Sequence, residues 1–303
     1  MITQEPIRFG LIGVDSSHAI QFTRLLGDGR TGRIEGGTVA TAWQGPVSAD
    51  FPPSRDRSDA NAALLAATGV EMRDSAEAVA EASDALLLVS SDVRTRREQF
   101  ARVAPFGKPV YVDTRFAAGL QDAQQMLQLA EESGCLVLSG SPKRFTPEFQ
   151  TVLSQEIESI ELTGPLVEQP GHPGLAWYGV HLVDLAVAIF GPGCIRVEPA
   201  GSGVRMVWPD SRTATIDGPA EWAPWTRGRA RTAEGDTAFE IEANEDMLTG
   251  LLASVVESCL TREPNIDAAQ ILEISELVAA GTSVRARHAP VDLTRRPPRP
   301  SAI

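Results

Sequence analysis

Residues 107–139 spell out one strand–helix–strand unit, and that unit restricts the chain to a fold built on a parallel sheet. A turn at Gly107-Lys108-Pro109 leads into Val110, Tyr111 and Val112, an unbroken apolar run of the kind buried on both faces of such a sheet. Leu120, Ala123, Met126, Leu127 and Ala130 then recur at helical spacing, Gly134 supplies the stop, and residues 135–139 form the next apolar run. The same rhythm precedes this unit. Residues 7–12, 38–43, 70–72 and 85–89 read as strands, and Ile20, Phe22, Leu25 and Leu26 mark a helix that Ser16 or Ser17 can cap. Strands alternating with helices predict an α/β fold with a doubly wound parallel sheet, which binds ligands at the carboxyl ends of its strands. Asp113 closes the strand 110–112 at such an end.

A chain of 303 residues exceeds one core and predicts two domains. Its formal charge of −13 excludes a nucleic-acid surface, which needs a basic stripe to displace counterions. No apolar stretch approaches a membrane span, and the opening residues carry no export signal, so a cytoplasmic location is expected. The three cysteines lack metal-ligand spacing and predict reduced core thiols; no metal site is expected. Of 27 basic residues only Lys108 and Lys143 are lysines. Arginine stays protonated at neutral pH, so lysine-dependent proton transfer has two candidates, and Lys108 lies at the wrong end of its strand.

The turn after the first strand, Gly13-Val14-Asp15-Ser16-Ser17-His18, leads into a helix whose free amides favour an anion. A dinucleotide fingerprint needs three glycines, and here Gly13 fills the first place while Asp15 and His18 take the second and third. The second strand ends at Trp43-Gln44-Gly45, without the acid that usually holds an adenosine ribose; Ser48 or Arg55 could meet a 2′-phosphate. Ser90, Ser91 and Asp92 end the fourth strand, close to where a nicotinamide or substrate would lie.

Gly10-Leu11-Ile12-Gly13, residues 107–113, Lys143-Arg144-Phe145-Thr146-Pro147 and Trp177-Tyr178-Gly179-Val180-His181-Leu182-Val183-Asp184 together resemble the Gfo/Idh/MocA family of NAD(P)-dependent oxidoreductases. The resemblance implies a Rossmann domain over residues 1–145 and an α/β domain over 146–288 with a large, open, mostly antiparallel sheet. It also implies a homodimer, NAD or NADP as cofactor, and hydride transfer to or from a secondary alcohol on a sugar or cyclitol. By position, Asp113 matches the family's acid, Thr114 its catalytic lysine, Arg115 the following proline and His181 its active-site histidine. Trp177 stands where an aspartate is common. The cofactor would be held by Gly13, Asp15, Ser16, Ser17, His18, Ser90, Ser91 and Asp113.

Residue by residue, His181 is the leading proton-handling candidate, and a hydrogen-bonded helix histidine is its structural counterpart. Asp184, one turn on, would orient the imidazole or cap a charged face. Arg115 would clamp a substrate carboxylate or phosphate through its planar fork, or pair with Asp113. Lys143 would reach the cleft in place of the missing lysine, or remain a solvated loop residue. His172 and Tyr178 lie in a stretch that the glycine- and proline-rich turn 171–174 places near the substrate.

In the second half, residues 157–162 and 239–241 alternate as strands, and residues 245–260 and 268–280 are helical by spacing. Residues 209–236 read as strand-poor, a lid or an edge, with Trp222 and Trp225 packing an inserted loop. Residues 289–303 read as an extended tail. The leading expectation is an NAD(P)-dependent oxidoreductase with a remodelled active site acting on a sugar-like or cyclitol-like molecule. A lyase or epimerase using His181, and a catalytically silent binding subunit, are the alternatives.

Overall fold

The computed structural model describes residues 5–293. Its first half alternates β1 (Ile7–Ile12), α1 (Ser17–Leu26), β2 (Gly37–Trp43), α2 (Pro52–Ala67), β3 (Glu71–Met72), α3 (Ala76–Ala82), β4 (Ala85–Leu88), α4 (Arg96–Val103), β5 (Val110–Val112), α5 (Leu120–Ser133) and β6 (Val137–Leu138). These strands form one parallel sheet in the order β3-β2-β1-β4-β5-β6, the doubly wound arrangement expected. Helices cover both faces, which is why the four residues of β4 are all apolar and all buried. The order reverses beside β1, so the carboxyl ends of β1 and β4 flank the switch-point crevice.

The second half runs α6 (Pro147–Leu153), β7 (Ser159–Thr163), α7 (Gly179–Phe190), β8 (Arg196–Ala200), β9 (Gly203–Val207), β10 (Thr213–Asp217), β11 (Trp225–Thr232), β12 (Gly235–Glu242), α8 (Asp246–Thr261), α9 (Ala268–Arg287) and β13 (Val291–Asp292). Seven strands pair in the order β12-β11-β7-β10-β9-β8-β13, antiparallel except for β7 with β10. This matches the expected α/β fold with a large, mostly antiparallel sheet. Helix α7 packs its apolar residues on one sheet face, whereas α8 returns to the first sheet and buries Leu248, Leu251, Leu252 and Val255 beside Phe9 and Phe22.

The stretch 209–236 is not strand-poor: β10 and β11 lie within it. The inward positions of β11 are Thr226, Gly228 and Ala230, too small or polar to print an apolar alternation. Glycine is required at 228 because a Cβ there would lie 2.1 Å from the Phe239 ring across the ladder. Trp222 and Trp225 do not pack a loop; they are 57% and 36% exposed. Helix α9 runs seven residues past 280, and Val291–Asp292 pairs with β8 in place of the expected extended tail. Residues 294–303 of that tail lie outside the described residues. All three cysteines are free thiols. Among the described residues no helix is long and apolar enough to cross a membrane, and no acidic, histidine and cysteine cluster could hold a metal.

Candidate active site

The carboxyl ends of β1, β4, β5 and β6 meet the start of α7, and the polar side chains at this junction are nearly all buried. Asp113 is their hub. Its Oδ2 bonds His18 Nδ1 at 2.8 Å, and its Oδ1 accepts from the Tyr111 hydroxyl at 2.9 Å and from the Thr114 amide at 3.0 Å. Burial alone would raise its pKa; the His18 charge and hydrogen bond, with Arg96 and Tyr111, outweigh it and hold the carboxyl well below the usual range. Arg96, fully buried on α4, donates to the Ser90 carbonyl and to the carbonyls of Asp113 and Arg115. It thereby ties the ends of β4 and β5 together.

Thr114, at the lysine position, is buried, and its hydroxyl donates to the Gly140 carbonyl at 2.8 Å. Its short chain is spent on fixing the loop after β6. Arg115 does not pair with Asp113. Its terminal nitrogens donate to the carbonyls of Trp177 and Ser91, both at 3.2 Å, and its guanidinium lies 3.7 Å from the Trp177 ring centre. Its Nε is buried without a partner. Burial, then the neighbouring Arg96 charge, presses Arg115 down to about 9.

Lys143 is buried rather than solvated, with 6% of its surface exposed. A short helical turn, Pro142–Phe145, opened by a Ser141 cap and Pro142, carries it off the end of β6. Its Nζ meets the Met247 sulfur at 3.7 Å and forms no ion pair among the described residues. Burial pushes its pKa down to about 8. His181, in the first turn of α7, bonds the Ser141 hydroxyl through Nδ1 at 2.9 Å. Burial first, then the charges of Lys143 and Arg115, hold the imidazole well below its ordinary pKa and therefore neutral. Asp184 is no direct partner of that ring. It pairs with Arg144 Nε at 2.7 Å and accepts the Ser141 amide at 3.2 Å, so it reaches His181 only through Ser141. Tyr178 places its ring 6.2 Å from that of His181.

His172 is wholly enclosed. Its Nε2 accepts the Val93 amide and its Nδ1 faces the Pro170 carbonyl, so both ring nitrogens are committed to backbone. Burial lowers its pKa to about 4. Ser90 gives its hydroxyl to Gln99 at 2.5 Å. Neither residue presents a free polar atom to a substrate.

A dinucleotide in this fold lays its pyrophosphate over the turn after β1, at the start of α1. Gly13 makes that turn at φ 78°, and Ser16 caps α1 through the His18 amide, while Ser17 is exposed. The residues around that turn are tied to one another. Asp15, which the fingerprint would replace by glycine, turns across to the Ser91 amide at 2.7 Å, and His18 spans to Asp113. Residues 44–51 then cross from β2 towards the end of β4. A Cβ at Gly45 would sit 3.6 Å from Gly13 Cα, Ser48 bonds Asp92, and Asp50 forms a forked pair with Arg94 at 2.7 and 2.9 Å. Phe51 closes this strap, fully buried, with ring centres 4.8 Å from His172 and 5.4 Å from Trp177. The strap of residues 44–51 thus borders the turn after β1 where a dinucleotide would lie.

Sequence reasoning missed Arg96, Ser141 and Phe51. Arg96 and Phe51 join positions far apart in the chain and leave no local pattern. Ser141 had a signal, since Ser-Pro ahead of a short turn reads as a cap.

No family model matches the chain, and no curated protein matches it significantly. Solved structures match in shape. A "probable dehydrogenase" from Thermotoga maritima superposes with a TM-score of 0.78 over 94% of this chain and 98% of its own, at 15% identity. An inositol 2-dehydrogenase from Lactobacillus plantarum, the myo-inositol enzyme, gives 0.76 over 95% and 100%, at 11% identity. An oxidoreductase from Agrobacterium radiobacter, in complex with NAD+, L-tartaric acid and magnesium, gives 0.73 over 95% and 98%, at 15% identity. The neighbours are dehydrogenases and oxidoreductases, and likeness at these identities establishes the fold.

Proposed function

We propose that the chain is an oxidoreductase acting on a secondary alcohol of a small, polar, sugar-like or cyclitol-like molecule, with Lys143 taking the hydroxyl proton. The supporting observation is the buried Lys143 amine, without an ion-pair partner and lowered to about 8 beside a neutral His181. An amine poised near ambient pH is suited to general base work, which the family lysine position, now Thr114, no longer performs. His181, anchored by Ser141, has no partner for Nε2 among the described residues and orients the same hydroxyl. The oxidoreductase class is supported by the fold shared with the dehydrogenases. Its hydride acceptor would be NAD or NADP, held beside the strap of residues 44–51.

The competing reading to be tested is non-redox acid–base chemistry of the lyase or epimerase kind with the same Lys143 and His181. Incubation with a panel of polyols and hydroxy acids in D2O, with and without nicotinamide dinucleotides, separates the two. Dinucleotide reduction coupled to ketone formation supports the oxidoreductase. Deuterium incorporation or loss of water without dinucleotide overturns it in favour of the second reading.

A further inference from the structure

Two cations of this cleft, the buried Lys143 and the half-buried Arg115, form no ion pair among the described residues. Burying a charge is costly unless it is paired, and three of the acids nearby already have cations: Asp113 with His18 and Arg96, Asp184 with Arg144 and Asp92 with Arg94, while Asp15 accepts the Ser91 amide. Arg115 and Lys143 are left over, and both charges bear on the His181 ring. Lys143 has a part in proton transfer. Arg115 has none, since guanidinium does not give up its proton at working pH. Its guanidinium lies over the Trp177 ring, pinned at both ends by carbonyls, with Nε enclosed and unsatisfied. Asp113 and Asp15 favour its charge through space.

We propose that Arg115 is the subsite for a carboxylate on the substrate, so that the molecule turned over is a hydroxy acid and not a neutral polyol. A flat fork stacked on an indole suits a planar two-oxygen group, and one guanidinium without a second dedicated donor is a poor cradle for a phosphate dianion. The substrate's charge supplies a direct ion pair where Asp113 and Asp15 act on Arg115 only through space, and the hydroxyl next to that carboxylate is presented to Lys143 and His181. This assignment rests on the reading of the Lys143–His181 cleft as the active site.

Calorimetric titration of the full chain with L-tartrate, gluconate and glucuronate, beside myo-inositol and inorganic phosphate, tests it without requiring turnover. At least one carboxylate is expected to bind at a concentration where myo-inositol and phosphate do not. Arg115→Gln should weaken that binding roughly tenfold or more, and Arg115→Lys should recover part of it. Lys143→Met should lose turnover while keeping most of the Arg115-dependent binding. Binding of carboxylates by a folded protein that is catalytically idle would leave the subsite standing and remove the proposed activity. Failure of every carboxylate to bind, equal binding of myo-inositol, preference for phosphate, or an Arg115→Lys protein with wild-type affinity would overturn the subsite. Thermal shifts with and without tartrate give the same comparison should Arg115→Gln fold poorly.

Discussion

Lys143 is held where its charge is a burden to the fold. Its pKa falls from 10.5 to about 8 because the buried site disfavours the ammonium, so below pH 8 the folded protein carries the full penalty. Between about pH 8 and 10.5 the unfolded chain binds a proton that the folded one has released, and stability rises with pH. Lys143→Met should therefore stabilise the protein at pH 7 by up to about 3 kcal/mol, with the advantage fading as pH rises through that window. Urea unfolding at pH 7 and pH 10 checks this; equal or lower stability of the variant at pH 7 would mean the ammonium is well solvated. Gly13 makes a second prediction at this scale. A Cβ there would lie 1.9 Å from Ser90 Oγ and 2.9 Å from Ser90 Cα, at a φ of 78°. Gly13→Val should destabilise the fold by a few kcal/mol with or without any dinucleotide, as thermal melting would register, and so cannot by itself report on cofactor binding.

The strap of residues 44–51 is the element that decides access to the crevice. Its Asp50–Arg94 pair is exposed and contributes little, whereas Phe51 is completely buried and is the anchor. If the strap excludes a dinucleotide by occupying its place, Phe51→Ala should shift the population towards an open crevice and tighten NAD+ or NADP+ binding by roughly tenfold or more. Calorimetry on wild type and variant reads this directly. Equal, tight binding by both would show that the strap is no barrier, and no binding by either would favour the non-redox reading. None of this was legible in the sequence. Missing glycines at Asp15 and His18 signalled an unusual loop, but their substitutes act by reaching Ser91 and Asp113, contacts 76 and 95 residues apart.

Across the molecule, legibility followed how uniformly each sheet is buried. The parallel sheet announced itself because strands covered on both faces must be apolar throughout, as Ala85–Leu88 and Val110–Val112 are. The second sheet hid β10 and β11 inside the stretch read as strand-poor because one face is solvated and the other is filled by Phe239 over Gly228. Its outer face carries Arg227 and Glu240, and Arg229 and Arg231 with Asp236, charge patterns that read as loop. At the site, residue types were legible and states were not. Lys143 was visible as a lysine after the sixth strand, but it packs on Met247 of α8, and the neutrality of His181 depends first on burial and then on two cations from elsewhere in the fold. An imidazole near its ordinary pKa would place the kinetic limb near neutrality; the buried pair moves that limb to the lysine. The pH profile of kcat/KM for whichever hydroxy acid is turned over tests this most directly. The wild type should rise to a plateau through a pKa of about 8, and Lys143→Met should lose that limb with roughly a hundredfold or more of the rate. A variant that keeps the wild-type rate, or keeps the limb, would contradict Lys143 as the base.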